Sequence, residues 1–148
     1  MSKINVGRLV LGGVVAGVLL FITDGILHGM ILKSDWAATM AAVGRPIVEG
    51  ADQGQKGMPA FVVYDLLKGL IAIWIYVAMR SRFGAGAKTA VMAGLTAWSL
   101  VNLTSFIGLM PMEFFSMKMV ATWCAFTAVS TTIAAVAGAA LYKEDATG

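Results

Sequence analysis

Four long apolar runs most constrain what this chain can fold into. They cover residues 7–32, 59–79, 87–110 and 114–141. A helix needs roughly 20 mostly apolar residues to cross about 30 Å of hydrocarbon, and each run is long enough. With 59% hydrophobic and only 13% charged residues, a soluble domain of 148 residues could not hide this much apolar surface. The sequence therefore predicts a single domain that is an all-α transmembrane four-helix bundle.

The positions of the basic residues predict how such a bundle is oriented. Six cations would share one side of the membrane: Lys3, Arg8, Arg80, Arg82, Lys88 and Lys143. Four would lie on the other side, among several carboxylates: Lys33, Arg45, Lys56 and Lys118. Because cytoplasmic loops carry an excess of Lys and Arg, both termini are predicted to be cytoplasmic. This bias explains the formal charge of +3 without a nucleic-acid partner.

The loop at residues 33–58 lies on the predicted outer side and contains the signal of a short helix. Ser34 is a suitable N-cap for a helix over residues 35–43, and Gly44 followed by Pro46 would end it. Apolar residues recur within it at helical spacing, which favours a helix that lies in the headgroup region.

Small residues at four-residue spacing predict close helix packing. The first run pairs Gly13 with Gly17 and Gly25 with Gly29, and similar pairs occur in the third and fourth runs. In lipid such pairs let helix backbones approach closely, and packing within the chain is favoured here over dimerisation. The second run has few small residues, so it is expected to be the most lipid-exposed or partner-facing helix.

Ionisable and polar side chains concentrate near the predicted outer end of the bundle. The candidates for an outer polar pocket are Asp24, His28, Asp65, Lys68, Asn102, Ser105 and Glu113. A charge at the bilayer centre costs at least about 2.5–3.5 kcal/mol on insertion scales, so each charged group needs a partner or a function. The functional hypothesis is a small pocket that opens outward, in which Asp24 orients His28 by a hydrogen bond.

A structural interpretation of the same residues stays open. Asp65 and Lys68 are three residues apart, so they can pair along one helix while Lys68 reaches toward the headgroups. Asp24 would then be neutral or bonded to Asn102 or Thr104. Passage of protons or ions across the whole membrane is disfavoured, because nothing ionisable continues into the inner half.

Methionines surround the same end of the bundle. The candidates for a soft-metal site or an adaptable contact surface are Met30, Met110, Met112, Met117 and Met119. Thioethers beside His28 would suit Cu(I), and haem would need a methionine as its second axial ligand because the chain has one His. No metal site is assigned and the cofactor stays open, since flexible methionines also seal interfacial turns. Three tryptophans within the runs would face a pigment, a quinone or lipid, or pack between helices: Trp74, Trp98 and Trp123.

The predicted inner surface carries a small basic group. Arg80, Arg82 and Lys88 are candidates for contact with anionic lipid headgroups. The sequence contains no phosphate-binding glycine loop, no His-Glu-x-x-His motif and no nucleophile with a plausible base. Enzymatic activity is therefore not expected.

Two segments carry a resemblance to known proteins. GRLVLGGVVAG at 7–17 and RFGAGAKTA at 82–90 resemble small bacterial integral membrane proteins that are described as uncharacterised. The resemblance implies a bacterial four-helix membrane protein and carries over no functional residues.

Together these observations predict a multi-pass protein of the bacterial inner membrane. We expect a non-enzymatic accessory or scaffold subunit that contacts lipid, and partner subunits or bound pigment, in a larger membrane assembly. The competing hypothesis is a small transporter or ligand-binding protein that uses the outer polar cluster, with a soft metal as one variant.

Overall fold

Most of the described part of the chain is helical, and four of the helices are long and apolar enough to cross a membrane. A computed structural model describes residues 4–47 and 57–143. The helices are α1 (Val6–Ile31), α2 (Lys33–Ala42), α3 (Met58–Phe83), α4 (Ala87–Met112) and α5 (Met117–Ala140). No strand occurs within the described ranges. The predicted all-α four-helix bundle is confirmed.

The long helices begin where the sequence supplies a cap or a break. The Asn5 side chain accepts a hydrogen bond of 2.9 Å from the backbone N–H three residues later and caps α1. Ser116 caps α5 in the same way at 3.2 Å. Gly84 and Gly86, at φ +83° and +137°, separate α3 from α4 in a backbone region that favours glycine.

Helix α2 begins earlier than the sequence predicted. Ser34 lies inside its first turn, and the cap position belongs to Leu32, which makes no side-chain hydrogen bond. Helix α2 begins early because backbone hydrogen bonds continue through Leu32 from α1 into α2. The Leu32 N–H donates to the Leu27 carbonyl at 2.8 Å, and the Leu32 carbonyl accepts from the Trp36 N–H at 2.9 Å. Gly44, at φ +74°, follows the end of α2 as predicted.

The long helices form a ring in which chain neighbours are also spatial neighbours. Helices α1 and α4 each contact α3 and α5, and α3 also contacts α5 across the middle. Consecutive long helices are antiparallel, so α2 and the turn before α5 lie at one end, called here the α2 end. The opposite end, with the α3–α4 turn, is called the terminal end. The apolar core lies toward the terminal end and includes Leu20, Ile73, Tyr76, Ala93 and Ala134.

Glycines determine how closely α1 approaches its neighbours. A Cβ added at Gly17 would lie 2.7 Å from the Leu66 Cα, and one added at Gly69 would overlap the Gly17 backbone. On another side of α1, a Cβ at Gly12 would lie 2.6 Å from the Gly138 carbonyl oxygen of α5. These positions therefore pack within the chain, as small residues in membrane helices commonly do.

Helix α3 is the most enclosed of the long helices, so the expectation that it is the most exposed was wrong. In the most apolar 18-residue window of each helix, 39% of the α3 window is buried inside the bundle, compared with only 28% of the α1 window. The reason is that Gly69 and Ala72 lie on the side of α3 that the other helices cover. In α1, by contrast, a Cβ added at Gly25 or Gly29 would have no atom of the described residues within 4 Å.

Candidate functional site

Three charged side chains from two helices meet inside the bundle. The Lys68 Nζ on α3 lies 3.2 Å from Asp24 Oδ2 on α1, and 3.8 Å from Asp65 Oδ1 one turn earlier on α3. The side chains of Lys68, Asp65 and Asp24 are 1%, 2% and 13% exposed. These three residues are called the ion cluster. The predicted Asp65–Lys68 pair is present, but the partner of Asp24 is Lys68 rather than Asn102 or Thr104.

The ion cluster lies below the ends of the membrane-spanning helices. Asp24 is seven residues from the end of α1, and Asp65 is seven residues from the start of α3. At 1.5 Å per residue both are about 10 Å from the helix ends, and Lys68 is about 15 Å from the start of α3. Helices of 26 residues are about 39 Å long, about 9 Å more than the hydrocarbon is thick, so the ion cluster still lies below the expected edge of the hydrocarbon. The structural interpretation had assumed that Lys68 reaches toward the headgroups. Lys68 instead pairs with the two aspartates within the bundle.

Tyr64 and Asn102 border the ion cluster. The Tyr64 ring centroid lies 5.3 Å from the Lys68 Nζ, within the range of a cation–π contact. The Tyr64 hydroxyl has Asp24, Asp65 and the Asn102 side chain as polar neighbours. Asn102 is 5% exposed, and its Oδ1 has no hydrogen-bond partner among the described residues. The same is true of the Oδ1 atoms of Asp24 and Asp65, so three buried acceptors lack donors.

Two of the membrane-spanning helices contain a widened turn. Helix α1 contains a π-turn at Leu27–Ile31, and α4 contains one at Ser99–Leu103. Widened turns of this kind occur frequently at functional sites. His28 belongs to the first turn and Asn102 to the second, so each turn includes a predicted site residue. Neither turn was predicted, because neither contains a proline that would indicate a break in the helix.

His28 is oriented by α2 and not by Asp24. The Trp36 Nε1–H donates to His28 Nδ1 at 2.9 Å. The predicted hydrogen bond from His28 to Asp24 was therefore wrong, although Asp24 still acts on the imidazole through space. Because the accepting nitrogen cannot also carry a proton, His28 is neutral with its proton on Nε2. The sequence signal that could have identified Trp36 as the partner of His28 is its place near the start of α2, the short helix predicted for the headgroup region.

Trp123 stands at the centre of an aromatic cluster at the α2 end. Its ring centroid lies 4.8 Å from that of His28, 5.6 Å from that of Trp36, and 5.0 Å and 5.9 Å from those of Phe106 and Phe115. These rings join α1, α2, α4 and α5. Trp123 therefore packs between helices.

The other two tryptophans have different surroundings. The Trp98 Nε1–H donates to Thr127 Oγ1 at 3.1 Å, which ties α4 to α5. Trp74 is 62% exposed on the outer surface of α3, where lipid would surround it.

The methionines do not converge on His28. Met119 is buried beside Leu27 and Leu32, whereas Met30, Met112 and Met117 are more than half exposed. Met110 and Met117 line a shallow apolar groove of about 50 Å³. Within the described ranges, no group of three His, Cys, Asp or Glu side chains is placed to hold a metal. With Nδ1 of His28 bonded to Trp36, the copper and haem hypotheses have no converging ligand set in this geometry.

The remaining candidates lie apart from the ion cluster. Ser105 is exposed and donates to the Val101 carbonyl of its own helix at 2.7 Å, and Glu113 is exposed in a left-handed turn at φ +53°. At the terminal end, the Arg80 guanidinium lies 5.0 Å from the Tyr142 ring centroid. Arg82 and Lys88 are exposed there on either side of the α3–α4 turn. Lys3 and the loop residues 48–56 lie outside the described residues.

The arrangement has a limited chemical repertoire. The ion cluster can hold α1 against α3 and can bind or release a proton. No protein-family model, curated protein or solved structure matches the chain.

Proposed function

We propose that this chain is a non-enzymatic integral membrane protein that serves as an accessory or scaffold subunit of a larger assembly in the bacterial inner membrane. The observation that supports this most strongly is the incomplete cover of α1. Gly13 and Gly17 pack against α3, but among the described residues no atom lies within 4 Å of a Cβ added at Gly25 or Gly29. In lipid, small residues at this spacing allow a second helix to approach closely, so this face suits a helix of another chain.

The charge distribution supports a cytoplasmic terminal end. Among the described cations, Arg8, Arg80, Arg82, Lys88 and Lys143 lie at that end, whereas Lys33, Arg45 and Lys118 lie at the α2 end. Arg82 and Lys88 are exposed at the level where anionic headgroups begin, which favours lipid contact there.

The cavities also favour a subunit over a transporter. One groove of about 50 Å³ lies at the α2 end, and another of about 130 Å³ lies beside Tyr76 and Gly86 at the terminal end. Both are lined mainly by apolar residues, and neither is lined by a residue of the ion cluster.

Purification from native membranes in a mild detergent tests the proposal. The wild-type chain should retain a partner subunit, and Gly25→Leu should lose it while its helical circular dichroism stays unchanged. Gly108→Leu is the matched control, because Gly108 on α4 is equally open. Recovery of the wild-type chain as a stable species without any associated subunit would contradict the proposal.

The second candidate function is ligand binding or transport at the ion cluster. The specific observation in its favour is the set of unpartnered Oδ1 atoms on Asp24, Asp65 and Asn102. In that case Asp24→Asn should abolish binding or flux while expression stays normal, and Asp35→Asn on α2 should have no effect. Unchanged uptake of candidate solutes in Asp24→Asn would reject this function.

A further inference from the structure

The formal charges of the ion cluster do not balance. Asp24 and Asp65 place two carboxyl groups against the single ammonium of Lys68, at 3.2 Å and 3.8 Å. If all three groups were ionised, a net negative charge would remain about 10–15 Å below the helix ends. An uncompensated charge is strongly disfavoured in such surroundings, and the group neutralises by changing its protonation state.

The hydrogen bonds of the cluster also indicate that one proton is missing. Ionised carboxylates only accept hydrogen bonds, and the described residues supply no donor to Asp24 Oδ1 or Asp65 Oδ1. The two carboxyl groups contact the same Lys68 Nζ, so they are neighbours within the cluster. A proton on one of them would supply the missing donor and would leave one fewer buried acceptor unpaired.

The groups around the cluster do not supply the missing positive charge. His28 of α1 is neutral, since its Nδ1 accepts from Trp36, and the Tyr64 phenol of α3 is uncharged at neutral pH. Helix α4 contributes the uncharged Asn102 amide, whose Oδ1 is itself unpartnered. Among the described residues, no charged group of α2, α4 or α5 acts on Asp65.

We infer that Asp24, Asp65 and Lys68 form an occluded proton-binding site within the membrane-spanning bundle. One proton is shared between the two carboxyl groups, and Lys68 balances the charge that remains. This property goes beyond a subunit role, because it requires no partner chain. The proton is then a ligand that the buried cluster can take up and release.

Infrared spectroscopy of the purified chain in zwitterionic lipid vesicles tests the inference. Protonated carboxyl groups have a C=O stretching band that is separate from the bands of carboxylates. At neutral pH the wild type should show one protonated carboxyl group per chain. Asp24→Asn and Asp65→Asn should each remove the band, because the remaining carboxylate then balances Lys68. Asp35→Asn on α2 is the matched control and should leave the band unchanged.

Lys68→Met gives the opposite prediction. Without the ammonium, both carboxyl groups should be protonated, so the band should double. A folded wild-type protein without the band at neutral pH would overturn the inference. Because this measurement uses the wild type, it tests the inference even if a variant fails to fold. A wild-type band that disappears when sodium replaces choline in the buffer would assign the site to a metal cation and would also overturn it.

Discussion

The Lys68 ammonium pairs with two aspartates that would otherwise be buried without a positive charge among apolar helices. Its pairing with Asp65 was predictable, because residues three apart on a helix share a face. Its pairing with Asp24 was not, although both residues were expected at similar depth. That contact depends on the rotation and register of α1 against α3, which the close approach of Gly17 to Gly69 determines. A single sequence shows the small residues but not which of them meet.

Trp36→Phe should loosen α2 from the bundle. The substitution removes the hydrogen bond to His28 Nδ1 but keeps an aromatic ring at the position. Since one hydrogen bond contributes about 0.5–1.5 kcal/mol, protection of the α2 amides from hydrogen exchange should fall roughly twofold to tenfold. Trp74→Phe is the control, because that ring is exposed on α3. Equal protection of α2 in wild type and Trp36→Phe would contradict this role for Trp36.

The protonation of His28 can be measured directly. The nitrogen-15 chemical shifts of this only histidine should show a neutral ring with its proton on Nε2 at neutral pH. Addition of Cu(I) should leave these shifts unchanged, because Nδ1 is already bonded and the methionines do not converge on the ring. A positively charged imidazole, or a copper-dependent shift, would show that the Trp36 contact does not define this site.

At the scale of helices, glycine positions divide α1 into faces with different neighbours. Gly17 approaches α3 and Gly12 approaches α5, while a Cβ added at Gly25 would meet none of the described residues within 4 Å. Sequence spacing identified the small pairs but not their partners. The exposure of α3 was predicted wrongly because few small residues were taken to mean few contacts. In fact Gly69 and Ala72 lie on the covered side of α3, and Gly69 meets Gly13 and Gly17 of α1 in a close crossing.

Gly69→Ala and Gly25→Ala should change stability in opposite directions. A methyl group at Gly69 would overlap backbone atoms of Gly13 and Gly17, and such overpacking costs about 1–3 kcal/mol. At Gly25 the methyl group meets open space, and the gain in helix propensity is at most about 1 kcal/mol. The free energy of unfolding in mixed micelles, titrated with SDS, measures both. Equal stability of the two variants would contradict the packing described for α1 and α3.

At the scale of the whole molecule, the length of the apolar runs was enough to predict the class. Hydrocarbon thickness imposes a minimum helix length, which sequence shows directly. The boundaries were less predictable. Helix α3 was expected to end at residue 79 but continues to Phe83, because Arg80 and Arg82 extend the helix beyond the apolar run without breaking it. Apolar side chains cover the outside of the bundle, including Ile22, Leu67, Trp74, Val129 and Ile133.

The cations predict the orientation of the bundle, and single cysteines can test this prediction. Cys124 is the only cysteine, so Cys124→Ala gives a background without thiols. In right-side-out vesicles, Arg45→Cys at the α2 end should react with an impermeant maleimide. Arg82→Cys at the terminal end should react only after permeabilisation, because the positive end is expected to be cytoplasmic. The reverse pattern would place the terminal end outside.

The central claim is that hydrocarbon surrounds the middle of the four long helices. Trp74 lies about 24 Å from the start of α3, near the middle of that helix, and its ring faces outward. A spin label at Trp74→Cys, in the Cys124→Ala background and in lipid vesicles, measures its surroundings by collision with oxygen or with a water-soluble nickel chelate. The bundle predicts frequent collisions with oxygen and almost none with nickel. Frequent collisions with nickel and few with oxygen would contradict it.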